Sequence, residues 1–260
     1  MMVFVVRKKM KILEREIGNQ VDSLFETVLL KLANSYAKNK TNKSDAEKKL
    51  TVLPQKDGLL SRIKWMDGNP YIYIRSDVPT HALPHIFGTA LCHVHQRIDN
   101  YPDVVRNESE KDLEGSLLAR TTLKELVLSL NAENLMKDIK FNMKWENSNR
   151  HQGFKDLLSM LDRGSDDSFI SKGSPVHQFF AMIYAKYSLQ HPASMWKGLR
   201  KDINNDFPEF LESGENVVAI IKDTGYDDEI SCLKTLISIR DELNMRPYTL
   251  ITDKKDQSFY

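Results

Sequence analysis

The spacing of apolar residues changes several times along the chain, and each change predicts a new element. From Ile12 the positions Ile17, Val21, Leu24, Phe25, Val28, Leu32 and Tyr36 recur at three- and four-residue steps, predicting an amphipathic helix of about seven turns. Val3 to Val6 ahead of it reads as a short strand or a frayed start, and the lysine-rich Lys38 to Lys49 as a helix end followed by an exposed connection. Leu50 to Leu60 carries Pro54 and Asp57-Gly58, which predicts loop or broken strand. Ser61 to Met66 alternates weakly. Asp67-Gly68-Asn69-Pro70 is a strong turn, and Tyr71 to Ile74, aromatic and β-branched, predicts the second arm of a hairpin. Leu83 to Ile98 is then a mostly apolar helix, with Pro84 suited to its first turn.

The second half reads differently. Glu108 to Leu130 predicts a helix with a core stripe of Leu113, Leu117, Leu118, Leu123, Leu126 and Leu130, continuing weakly over Asn131 to Asn149. Ser148 to Gly153 and Arg163 to Pro175 are the best loop or boundary candidates, and Val176 to Leu189 predicts an aromatic helix. Val217 to Ile221 reads as a buried strand, Asp227 to Met245 as a helix and Tyr248 to Ile251 as another strand, the order of a βαβ unit. The expected class is therefore α+β: helix-rich, with a small sheet beside the central helix and a C-terminal βαβ-like unit. Two regions are expected, residues 1–150 and 151–260, with one continuous domain as the alternative. No GxGxxG or phosphate-loop motif accompanies the βαβ pattern, so nucleotide binding has no support.

Composition narrows the function classes. Lys+Arg 37 against Asp+Glu 36 gives a net charge of +1, so no global field recruits nucleic acid or anionic lipid. A nucleic-acid-associated role rests only on Lys38 to Lys49 and is disfavoured. No apolar run approaches the roughly 20 residues of a membrane span, and the opening MMVFVVRKKM has its apolar residues before its charges, the reverse of a secretory signal. The expected location is cytoplasmic, with Cys92 and Cys232 as buried free thiols.

Four of the seven histidines fall between Tyr71 and Arg97. His85 and His93 are eight residues apart, about 80° around a helix and roughly 12 Å along it. They cannot share one zinc ion, whose nitrogen ligands lie about 2 Å from the metal. His81 and His85 have a one-face spacing, but Pro84 between them leaves His81 in the preceding turn. Ser174 and His177 offer a hydroxyl and an imidazole with no third group to orient them. Phe179, Phe180, Tyr184 and Tyr187 read as core. The acidic Asp223, Asp227, Asp228 and Glu229 read as a helix cap before a cation site.

The segment LPHIFGTALCH, entered from a strand and a turn, resembles the active-site helix of zincin metallopeptidases, above all the ImmA/IrrE-type branch. The resemblance runs from Tyr71 to Ala119. It puts His85 on the first zinc-binding histidine, Gly88 on the motif's glycine, His93 on a histidine one turn later and Glu114 on the third ligand. At the general-base position stands Ile86, and at the second histidine position Thr89. Neither can hold zinc or deprotonate its water. The resemblance thus implies a zincin-like protein that has lost its peptidase chemistry and works by binding, with a protein partner, no catalytic residue and no cofactor. The alternative is a metal-dependent hydrolase with a rearranged zinc site drawn from His81, His85 and Glu114.

Overall fold

In the computed structural model, residues 10–38, 49–159, 161 and 171–260 are described. The expectations for Val3 to Val6, for most of the Lys38 to Lys49 connection and for 163–170 fall outside them. The class is α+β, and among the described residues there are eight helices and three small sheets. No helix among them is long and apolar enough to cross a membrane. Two compact units emerge: residues 1–99 with 135–145, and residues 100–134 with 146–260. The boundary expected near residue 150 lies inside a helix, Lys144–Ser159.

The first unit opens on a hairpin, β1 (Met10–Ile12) and β2 (Arg15–Gly18), before α1 (Asp22–Lys38). The helix expected from Ile12 therefore begins ten residues later. Leu13 and Glu14 take positive φ values of 49° and 66°, and this left-handed turn resets the periodicity. Ile12 and Ile17 still reach the core, from strands instead of a helix.

Next come β3 (Thr51–Gln55), β4 (Ser61–Met66) and β5 (Asn69–Arg75). Their order is β3-β5-β4, with β3 parallel and β4 antiparallel to β5. The expected hairpin is β4 and β5. The stretch read as loop or broken strand is β3, whose exposed Pro54 is tolerated because an edge strand can spare an N–H. Inward Ile72 and Ile74 are fully buried, and α2 (Leu83–Ile98) packs its Phe87, Leu91 and Val94 into the same core as Val28 and Leu32 of α1. Burying these side chains, at about 1.5–3 kcal/mol each, is what holds the sheet and the two helices as one unit.

The second unit contains β6 (Asp103–Arg106), α3 (Ser116–Leu135) up to Asn134, α4 (Lys144–Ser159) from Glu146, α5 (Pro175–Gln190), α6 (Ala193–Asp206), α7 (Pro208–Thr224), α8 (Glu229–Glu242), β7 (Thr249–Asp253) and β8 (Ser258–Phe259). Three expectations need correction. The α3 helix starts at Ser116, after Gly115 at φ 81°, and not at Glu108. Its leucine stripe divides: Leu123, Leu126 and Leu130 are buried, but Leu113, Leu117 and Leu118 are 52%, 70% and 48% exposed. Ser148 to Gly153, expected as loop or boundary, lies within α4, just past the division between the units after Trp145.

The βαβ expectation also fails. Val217 to Ile221 sits inside α7, where Val217, Val218 and Ile221 are buried at i, i+1 and i+4. A short apolar run cannot distinguish a buried strand from a buried helix, and this one is a helix. The strand β7 pairs antiparallel with β6 and β8. The acidic turn before α8 is a cap: Asp228 accepts from the Ser231 N–H at 2.8 Å, and the Ser231 hydroxyl reaches back to the Asp228 backbone.

Charge divides unevenly between the units. Among the described residues the first carries 13 Lys+Arg against 9 Asp+Glu, a net +4, and the second 17 against 22, a net −5. The near-neutral total conceals both.

Candidate functional site

The strand β5, the turn after it and α2 set out the histidine segment. Arg75 donates to both carboxylate oxygens of Asp77, at 2.6 and 2.9 Å, which fixes the turn leaving the strand. Ala82 precedes α2 with no side-chain cap, and Pro84 falls in the first turn, where a missing N–H costs nothing. His81 stays outside the helix, as expected, and is exposed. It stands on the wall of a cavity of about 470 Å³ together with Glu16, Gln20, Thr80, Pro84 and Asn142.

His85 turns the other way. It is 3% exposed and meets the Phe141 ring edge-on, with centroids 5.0 Å apart. It is not part of the cavity wall that carries His81. Ile86, also 3% exposed, belongs to the core with Val21 and Phe87. Gly88 marks a close approach: a Cβ there would lie 2.7 Å from Met136 Sδ and 3.3 Å from Val21 Cγ1. Thr89 has its hydroxyl oxygen buried without a hydrogen-bond partner. Cys92 is fully buried and in no disulfide, as is Cys232 in the second unit, whose thiol burial pushes up to about 12.

The last turn of α2 holds a cluster that sequence spacing missed. Lys31 of α1 contacts both His95 Nε2 and Asp99 Oδ2, and His95 Nε2 lies 2.9 Å from the same Asp99 oxygen. Burial lowers the His95 pKa, Lys31 adds to that, and Asp99 opposes it. The i,i+4 spacing of His95 and Asp99 was legible, but the lysine comes from another helix. His93, two residues before His95 and on a different side of the helix, has its Nδ1 2.8 Å from Gln96 Oε1.

Glu114 lies in the second unit, exposed, in the turn before α3. The structure thus places His81 and His85 in one segment facing different surroundings, and Glu114 in the other unit. Among the described residues, no group of three or more His, Cys, Asp or Glu is arranged to hold a metal ion.

The Ser174–His177 pair resolves into a helix cap. Ser174 Oγ accepts from the His177 N–H at 3.1 Å, while the buried ring faces the Glu209 carbonyl at 3.2 Å. In comparisons with known proteins, the chain matches no family model, no curated protein and no solved structure.

Proposed function

We propose that the chain works by binding and not by catalysis, as an interaction or regulatory module on a zincin-like strand-turn-helix frame. The observation that carries this reading is the environment of Ile86. At the position where the resemblance implies a general base, an aliphatic side chain is 3% exposed and packed into the core. A base must reach a water, and this position contributes packing instead. Thr89, at the second histidine position, has a hydroxyl in place of an imidazole.

The test is to rebuild the motif. Ile86→Glu together with Thr89→His restores two histidines four apart with a glutamate beside the first. The double variant should bind zinc and gain thermal stability from it, whereas the parent chain should show neither response. A charge at Ile86 also costs stability, so Thr89→His alone serves as the milder variant and should bind zinc more weakly through two imidazoles. A folded pair of variants with no more zinc affinity than the parent would overturn the zincin-like frame.

A further inference from the structure

The outward face of the β3-β5-β4 sheet carries chemistry that the histidine segment does not use. Register fixes which side chains share it. Tyr71 and Tyr73 of β5 alternate with buried Pro70, Ile72 and Ile74, so both tyrosines point away from the core. Opposite Tyr73 stands Arg62, and opposite Tyr71 stands Lys64, both on β4 and both exposed. Directly paired residues of an antiparallel ladder project to the same side. On the other flank β3 supplies Thr51 and Leu53 in the same two rows.

Both cations are placed over one ring, that of Tyr73. Arg62 Cζ lies 5.2 Å and Lys64 Nζ 5.9 Å from the Tyr73 ring centre. Such contacts keep both side chains extended across the sheet instead of free in solvent. No carboxylate occupies either row, and Arg75, next along β5, is already neutralised by Asp77. The face belongs to the unit whose described residues carry a net charge of +4.

We infer that this face binds single-stranded nucleic acid, stacking unpaired bases on Tyr71 and Tyr73 while Arg62 and Lys64 meet the phosphates. Two residues along a strand separate the tyrosines by about 7 Å, room for two successive splayed bases. Stacking is tolerant of sequence and needs only part of a ring face, which the half-buried Tyr71 and Tyr73 offer on the outward side. A duplex already stacks its bases internally and cannot use the rings. The whole-chain charge argues against a nucleic-acid partner, but it averages an acidic unit with a basic one, and local charge is what a ligand meets. The inference rests on the reading of the chain as a binding protein and names its ligand class.

The experiment is fluorescence anisotropy of the full chain with a labelled oligothymidylate of about 12 nucleotides, a site size within the usual range. Binding should weaken as salt rises, and an unlabelled duplex of equal length should compete poorly. Tyr71→Ala with Tyr73→Ala should weaken binding roughly tenfold or more, with unchanged circular dichroism. Arg62→Glu with Lys64→Glu should weaken it comparably. Lys137→Glu with Lys144→Glu, exposed positions of the same unit, makes the same change in net charge and should weaken it far less. Absence of binding at low salt, indifference to the tyrosine pair, or an equal loss in the control pair would each overturn the proposal. Zinc content is read separately, so failure here is distinguishable from failure of the non-catalytic reading.

Discussion

Arg62 extends across the β4–β5 pairing so that its guanidinium carbon lies 5.2 Å from the centre of the Tyr73 ring. The pair is a cross-strand contact on a solvent-facing surface, so its share of stability is small. Cross-strand pairs contribute about 0.2–1 kcal/mol, and an exposed cation–π contact about 0.5–1 kcal/mol. Tyr73→Ala should therefore lower unfolding stability by about 1 kcal/mol in urea titration. Loss of cooperative unfolding would show that Tyr73 belongs to the core instead.

Two glycines make close helix contacts that differ in what can yield. At Gly214 a Cβ would lie 2.3 Å from Tyr184 Cδ1 and 2.7 Å from Cγ, against a fully buried ring that joins α5 to α7. At Gly88 the nearest atom, 2.7 Å away, is the sulfur of Met136, on a flexible side chain. Gly214→Ala should cost about 1–3 kcal/mol by overpacking. Gly88→Ala should stay within about 1 kcal/mol, because helix propensity favours alanine by a similar amount. Chemical denaturation of the two variants checks this, and a larger loss at Gly88 would contradict it.

Two buried histidines, His177 and His191, and the half-buried His95 make the fold acid-sensitive. His191, its ring parallel to that of His151 with Nε2 3.2 Å from His151 Nδ1, has a pKa lowered from about 6.5 to about 4. Burial is the main cause, followed by the nearby charges of His151 and Arg150. Burial also lowers the pKa of His95 and His177. The unfolded chain then binds more protons than the folded chain between pH 6.5 and about 4. Stability from these groups is complete above pH 6.5 and is lost as pH falls through that window. The urea midpoint should drop from pH 7 to pH 4.5, and His191→Gln should flatten the decline. A midpoint that rises on acidification would contradict the assignment.

The histidine segment was legible because local signals agreed with the tertiary fold. Aromatic and β-branched residues at Tyr71 to Ile74, a turn and a nearly continuous apolar run after Pro84 gave both β5 and α2, the latter with its observed ends. The losses came where one pattern serves two structures. Val217 to Ile221 is apolar enough for a strand or a buried helix, and the Leu13-Glu14 turn hides inside helical spacing. Leu117 continues the stripe of Leu123 yet remains exposed, because periodicity shows which positions align and not whether anything covers them. The absence of a carboxylate and a second imidazole at Ile86 and Thr89 could be read directly. The pairing of Arg62 with Tyr73 depends on strand register, and Glu114 in another unit depends on tertiary division, so spacing alone reached neither.

The most direct test of a non-catalytic frame is the zinc content of the wild-type chain, purified without chelator, incubated with zinc and dialysed. We expect far less than one zinc per chain, and a melting temperature that a chelator leaves unchanged. One zinc per chain, lost in His85→Ala and Glu114→Ala with a fall in melting temperature, would contradict the account and establish the rearranged His81, His85 and Glu114 site.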